Sequence, residues 1–168
     1  DHERRITAYH EGGHAMVAAA LPNADPVHKV TILPRGRALG YTMVLPDEEK
    51  YSTTRNEMLD QLAYMLGGRA AEEMVFHDPT TGAANDIEKA TAVARAMVTQ
   101  YGMTERLGAI RYGQDAGEVF LGRDMGHQRD YSEEIAAAID EEVRSLIDAA
   151  HQDAYEILFD NREVLDHL

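Results

Sequence analysis

Cysteine is absent from the 168-residue chain, which excludes disulfide bonds and every metal site built on thiolates. Any metal ion would have to be held by histidine, aspartate or glutamate. No apolar run approaches the roughly 20 residues that a membrane-spanning helix needs, and no secretory signal pattern is visible. The lack of cysteine is also compatible with a reducing compartment.

Basic residues are few as well: 16 lysines and arginines stand against 30 aspartates and glutamates, for a formal net charge of −14. A phosphate backbone repels such a chain, so nucleic acid is excluded as an expected partner. The chain also lacks the G-x-x-x-x-G-K-[S/T] pattern of a phosphate-binding loop, and no lysine follows a glycine. It is therefore not expected to be an ATPase by itself.

The pattern H-E-x-x-H is present at residues 10–14, inside a stretch with helical periodicity. Two histidines four residues apart lie on one face of a helix, so His10 and His14 can share one metal ion. Glu11 can then act on a water molecule beside that ion. Apolar residues at the same helical spacing place both histidines on the buried side of the helix: Ile6, Val17 and Leu21.

Gly12 and Gly13 are unusual inside a helix, because each costs about 1 kcal/mol of stability relative to alanine. Their presence indicates that another backbone or a ligand approaches this helix closely. The alternative is a chance H-E-x-x-H pattern in a purely structural helical bundle.

Periodicity along the chain predicts a mainly α fold with a small β-sheet, or α+β. Helices are expected at about residues 3–20, 54–76, 85–100 and 132–159, and strands at residues 27–33 and 38–45. We expect Asn85 to be the N-cap of the third helix, paired with Glu88, and Ser132 to be the N-cap of the last long helix. Residues 77–84 are expected to form a loop.

A catalytic zinc ion needs a third protein ligand besides the two histidines. Asp86 is the first choice, since it follows a polar, glycine-containing loop at the start of a predicted helix. Glu72 and Glu73 are rivals from the second helix, and His77 and Asp78 are weaker candidates. Spacing alone does not decide between them.

Six separated segments resemble, in the same order, the peptidase domain of FtsH-type ATP-dependent zinc metalloproteases. The segments are residues 9–15, 29–36, 38–41, 67–73, 81–86 and 117–122. Gly12 departs from the family pattern, which usually has alanine there, but Gly12 is neither a ligand nor a base. The resemblance covers nearly the whole chain.

The resemblance implies a Zn²⁺ site in which Asp86 is the third ligand beside His10 and His14, with Glu11 as the catalytic general base. It leaves two roles open for Glu72: a structural acid, or an acid that orients a ligating histidine by accepting its second N–H. The implied fold has a zincin-like H-E-x-x-H helix and a C-terminal helical bundle. Within one peptidase domain, residues 1–100 would form the catalytic core with the small sheet, and residues 101–168 the helical part.

The family architecture further implies an AAA+ module and membrane segments that precede this domain and are absent from the chain, in agreement with its abrupt start at Asp1. Expected partners are unfolded polypeptide substrates and five further copies in a homohexamer. Membrane contact would come only through the absent N-terminal segments, and the expected location is the cytoplasmic face of the cell membrane. The strand at residues 38–45 would pair with an extended substrate if it lies at a sheet edge.

Two other functions remain open: a self-standing zinc peptidase and an inactive substrate-binding or assembly module. An AAA+ domain upstream of Asp1 would exclude the first. Inactive relatives of enzymes commonly lose the base or a ligand, whereas Glu11 and both histidines are present here. The pattern therefore favours an active endopeptidase.

Overall fold

The computed structural model of the protein describes residues 1–23, 27–31, 41–44, 51–113 and 129–168. In chain order the elements are α1 (His2–Ala20), β1 (Val27–Thr31), β2 (Tyr41–Val44), α2 (Arg55–Phe76), a 3-10 turn (Thr81–Ala83), α3 (Ala84–Thr99), α4 (Glu133–Asp160) and α5 (Arg162–His167). The prediction of a mainly helical chain is confirmed. None of the helices in these ranges combines the length and the apolarity that a membrane crossing requires.

Hydroxyl side chains begin two of the long helices, because they satisfy backbone N–H groups that a first helical turn leaves unpaired. The Thr54 hydroxyl accepts a hydrogen bond from the Glu57 amide at 3.1 Å, at the start of α2. The Ser132 hydroxyl accepts one from the Ile135 amide at 3.2 Å, at the start of α4. The predicted cap at Ser132 is therefore confirmed.

The start of α3 differs from the sequence prediction. The N-cap of the 3-10 turn is Thr80, whose hydroxyl accepts a hydrogen bond from the Gly82 amide at 3.1 Å, and the chain then enters α3 at Ala84. Asn85 is consequently already inside the helix, and the residue before α3, Ala83, makes no side-chain cap. The predicted N-cap at Asn85 was wrong because the 3-10 turn starts the helix earlier.

β1 and β2 pair antiparallel as a two-stranded sheet, and α1 lies against both strands. Val30 faces Thr42 and Thr31 faces Tyr41, while an irregularity in the register falls between Val27 and Lys29. The sequence predicts longer strands, but residues 32–40 and 45 lie outside the described residues.

α2 occupies the centre of the helical packing, with α1, α3 and α4 against it. These helices share one hydrophobic core, whose largest fully buried apolar side chains are Leu62, Met97, Ile139, Leu158, Val17 and Val98. Burial of apolar surface supplies most of the stability of such a core. Because α1 and α3 both pack on α2, residues distant in sequence are held at fixed positions near one face of α2.

α1 and α2 approach each other most closely at a pair of glycines. A Cβ atom placed on Gly13 would lie 2.4 Å from the carbonyl oxygen of Gly67 and 2.7 Å from Cβ of Ala71. A Cβ atom on Gly67 would lie 2.8 Å from the carbonyl oxygen of Gly13. No side chain fits between the two backbones, which explains the glycine at position 13 despite its cost in helix stability.

Gly12 has a different environment, since it faces α5. A Cβ atom there would lie 3.3 Å from Cδ1 of Leu165, the flexible end of a side chain. The Tyr9 hydroxyl donates a hydrogen bond to Asp166 at 2.8 Å and thereby also holds α5 on α1. A methyl group can therefore be accommodated at Gly12 but not at Gly13.

We expect Gly13→Ala to lower the free energy of unfolding by about 2–3 kcal/mol, because the new methyl group collides with backbone that cannot move aside. Gly12→Ala is the matched control. It is expected to be neutral or to stabilise by up to about 1 kcal/mol, because helix propensity improves while Leu165 can shift. Urea denaturation of both variants without metal measures the difference. Equal losses in the two variants would contradict the packing described for Gly13 and Gly67.

Candidate metal centre

Three potential ligand atoms from α1 and α3 converge on one point. Nε2 of His10 lies 3.1 Å from Nε2 of His14, and Oδ2 of Asp86 lies 3.0 Å from the first and 3.2 Å from the second. The two histidines are one helical turn apart on α1, and Asp86 is in the first turn of α3. A triangle of two imidazole nitrogens and one carboxylate oxygen results.

The donor set and its dimensions fit a zinc ion. Ligand atoms bound to one tetrahedral zinc ion at about 2.0–2.1 Å lie about 3.3 Å from one another, close to the separations seen here. Three protein ligands leave a fourth position for water, as catalytic zinc sites require. Within the described parts of the chain, His10, His14 and Asp86 form the one group of three or more such side chains close enough to share an ion.

The second nitrogen of each imidazole is also occupied. Nδ1 of His10 lies 2.7 Å from Oε2 of Glu72, and Nδ1 of His14 lies 2.7 Å from the backbone carbonyl oxygen of Tyr64. Both partners are acceptors here, so each Nδ1 carries the hydrogen and each Nε2 of a neutral ring presents its lone pair to the other ligand atoms. α2 therefore fixes both the orientation and the tautomer of the two imidazoles on α1.

Gly68 on α2 makes room for the ring of His10. A Cβ atom on Gly68 would lie 2.5–2.7 Å from three atoms of that ring. Any larger residue would displace the imidazole from its position beside Asp86. Together with Gly67, this glycine explains why a pair of glycines interrupts an otherwise good helical sequence.

Glu72 is an almost completely buried carboxylate, with 1% of its surface exposed. Besides His10, it has a second partner in Thr80, whose amide donates to Oε1 at 3.0 Å and whose hydroxyl donates a short hydrogen bond to the same oxygen. A buried charge is costly unless it is paired and hydrogen-bonded, and Glu72 meets both conditions.

The electrostatics favour a cation in this cluster. Burial alone would lower the pKa of His10, but hydrogen bonds to Asp86 and Glu72 outweigh it and raise that pKa to about 9. Hydrogen bonds from His10 and Thr80 outweigh the effect of burial on Glu72, and those from His10 and His14 outweigh it on Asp86. The pKa of each acid therefore lies below its usual range. A divalent ion must displace a proton here, so its affinity falls as the pH is lowered.

Glu11 is buried, with 8% of its surface exposed, in the same helical turn as the histidines. Its negative charge contributes to the raised pKa of His10. Burial, together with the charges of Glu11 and Asp86, raises the pKa of Tyr64 to about 12. A carboxylate and a phenol thus lie near the three ligand atoms.

The rival ligands lie elsewhere. Glu73 pairs with Arg69 of α2 and with His151 of α4. His77 is exposed and adopts a left-handed conformation at the C-cap of α2, and Asp78 is exposed in the following turn. The structure therefore brings Asp86 to the histidines, whereas Glu72 contacts the outer side of His10.

Sequence reasoning missed three contributors to the site: the carbonyl of Tyr64, the packing surface of Gly68 and the hydroxyl of Thr80. The adjacent glycines in α2 were a signal for the second, because a helix interior gains nothing from them. Nothing in the sequence identifies a particular backbone carbonyl as the partner of His14. Thr80 lies in a segment without periodicity and gives no signal either.

The family model of peptidase family M41 matches residues 1–168, the whole chain. The chain belongs to peptidase family M41. A member from Cutibacterium acnes (strain SK137), an ATP-dependent zinc metalloprotease FtsH, is 66% identical over 167 residues, covering 99% of this chain and 23% of its own length.

Two further M41 relatives bear the same name. The protein of Rhodococcus erythropolis (strain PR4 / NBRC 100887) is 60% identical over 99% of this chain and 19% of its own length. That of Mycobacterium leprae (strain TN) is 58% identical over 100% of this chain and 21% of its own length. The chain thus spans about a fifth to a quarter of these curated relatives.

Proposed function

We propose that this M41 chain is a zinc-dependent endopeptidase domain that hydrolyses internal peptide bonds, with His10, His14 and Asp86 as the metal ligands. The observation that carries the proposal is the triangle of 3.0–3.2 Å formed by the three ligand atoms beside Glu11. A zinc ion held by these three residues would lower the pKa of its bound water to about 7 and polarise a carbonyl group.

Residues of the chain have separate roles in the proposed hydrolysis. Glu11 takes the proton of the attacking water and passes it to the leaving amine, as a general base and then a general acid. Glu72 and the carbonyl of Tyr64 hold the two imidazoles in the tautomer that presents Nε2. The helical packing keeps this arrangement partly buried, which strengthens the electrostatic interactions within it.

The substrate in this proposal is an extended polypeptide. β2 pairs with β1 along one edge, and α1, which carries His10 and His14, lies against both strands. An extended chain that adds to the other edge of β2 would be bound mainly by its backbone, with little dependence on side chains. This supports cleavage of unfolded polypeptides of varied sequence.

For the whole protein we extend the proposal to an ATP-dependent, membrane-anchored protease. The relatives are named ATP-dependent, and this chain, with no phosphate-binding loop, spans only about a quarter of the length of one of them. Outside these residues we place an AAA+ module and membrane anchors, with six copies in a ring at the cytoplasmic face of the membrane. Residues 1–100 serve as a zincin-like catalytic core and residues 101–168 as its helical part.

Chelation tests the proposal directly. The purified chain is expected to contain about one zinc ion and to cleave fluorescently labelled casein, a largely unfolded substrate that needs no unfolding motor. Treatment with 1,10-phenanthroline should lower the cleavage rate at least about a hundredfold, because the water loses its activation. Metal analysis and the fluorescence assay on the same sample give both quantities.

Adding back zinc should restore cleavage, whereas magnesium should not, because imidazole ligands disfavour that hard ion. The non-chelating isomer 1,7-phenanthroline is the control for inhibition by the aromatic compound itself. Cleavage that persists in the chelated, zinc-free chain would overturn the proposed chemistry.

A further inference from the structure

Glu72 connects the two separate parts of the metal site through its two carboxylate oxygens. Oε2 lies 2.7 Å from Nδ1 of His10, which belongs to the ligand helix α1. Oε1 accepts two hydrogen bonds from Thr80, one from the amide at 3.0 Å and one from the hydroxyl. One buried carboxylate thus contacts a ligand on one side and a loop residue on the other.

Thr80 in turn determines where α3 begins. Its hydroxyl donates to Glu72 and also accepts a hydrogen bond from the Gly82 amide at 3.1 Å, inside the 3-10 turn. That turn continues directly into α3, whose first turn contains Asp86. Hydrogen bonds therefore link His10 to Glu72 and Glu72 to Thr80, and a short segment of backbone links Thr80 to Asp86.

Removing this hydroxyl has two physical consequences. The buried carboxylate of Glu72 loses one of the donors that offset its desolvation and hold it in place, so it is less firmly oriented toward His10. The 3-10 turn also loses its cap, which loosens the segment that places Asp86. Both effects act on the ligand geometry, although Thr80 contacts none of the three ligand atoms.

We propose that Thr80 is a positioning residue of the zinc site, which acts through Glu72 to hold His10 and Asp86 at the separation that the ion requires. The inference rests on the proposed zinc site and adds a residue to it. The chemistry needs a hydroxyl at this position that can donate and accept at once. Serine can replace threonine, whereas valine, with nearly the same shape, cannot.

The test measures zinc affinity by competition with a fluorescent chelator. Thr80→Val is expected to weaken zinc binding about tenfold or more, in the range for residues that orient ligands. Thr80→Ser should bind within about threefold of the wild type, because it restores the hydroxyl. The matched control is Thr91→Val on α3, which removes a hydroxyl that donates a hydrogen bond to the Ile87 carbonyl of its own helix.

A double-mutant cycle separates positioning from general destabilisation. In a Glu72→Gln background, Thr80→Val should cost less than about threefold in affinity, because the charge through which Thr80 acts is gone. If Thr80 had a merely structural role, Thr80→Val would lower the zinc affinity by the same factor in both backgrounds. It would also lower the thermal stability of the metal-free chains. If Thr80→Val does not fold, Thr80→Ser against Thr80→Ala carries the comparison.

Wild-type affinity distinguishes the two levels of the argument. A wild-type chain that does not bind zinc contradicts the proposed function itself. If the wild type binds zinc and the zinc affinity of Thr80→Val is within about twofold of the wild-type value, the role of Thr80 is overturned and the proposed function stands.

Discussion

Glu11→Gln is expected to leave about one zinc ion bound per chain and to reduce peptide hydrolysis by a factor of about 10²–10⁴. The substitution keeps the size and shape of the side chain but removes its ability to accept a proton. The ligand atoms of His10, His14 and Asp86 belong to other residues and should keep their positions. Activity and metal content therefore separate in this variant, which a general loss of structure would not produce.

Two measurements on one preparation test this expectation: zinc content after gel filtration and the initial rate of casein cleavage. The matched control is Glu3→Gln, an exposed glutamate in the first turn of the same helix, which should keep both zinc and activity. Hydrolysis at the wild-type rate in Glu11→Gln would contradict the assignment of the general base. Loss of both zinc and activity would indicate that Glu11 is needed for zinc binding and not specifically for proton transfer.

Asp86→Asn is expected to lower the zinc affinity, and not only the rate of peptide hydrolysis. The substitution replaces an anionic oxygen that lies 3.0 Å and 3.2 Å from the two ligand nitrogens by a neutral amide. The loss in zinc affinity should exceed the roughly 10–100-fold that removal of an outer hydrogen-bond partner costs. Activity falls in proportion to occupancy and should return partly at high zinc concentration.

Glu72→Gln provides the graded comparison. Its carboxylate contacts Nδ1 of His10, on the far side of the ring from the ligand triangle, so zinc affinity should fall only about 10–100-fold. Asp78→Asn, an exposed aspartate near the same loop, should bind zinc like the wild type. Full zinc binding in Asp86→Asn together with its loss in Glu72→Gln would reverse the assignment of the third ligand.

The local part of the site could be predicted from sequence because it depends on helical periodicity. His10 and His14 share a face by spacing alone, and the same periodicity placed them on the buried side of α1. Ser132 was identifiable as a cap, since the cap motif is also local. Asn85 looked like an equally good cap, but a 3-10 turn capped by Thr80 leads directly into the helix at Ala84.

The remainder of the site depends on contacts between residues distant in sequence. Asp86 is 72 residues from His14, and spacing offered no way to choose between it and Glu72. Both acids in fact contact His10, Glu72 at Nδ1 and Asp86 at Nε2. Only the packing of α1, α2 and α3 determines which acid meets which nitrogen. Resemblance to a family favoured Asp86 where physical reasoning from spacing left the choice open.

The close contact between Gly13 and Gly67 makes zinc retention a sensitive measure of how well two helices are docked. α1 provides both imidazoles, while α2 provides the carbonyl, the carboxylate and the bare Gly68 surface that orient them. A separation of these helices by a fraction of an ångström would disturb every one of those partners at once. In the proposed zinc peptidase, a strained or partly opened domain would therefore release the metal and lose activity before its hydrophobic core unfolds.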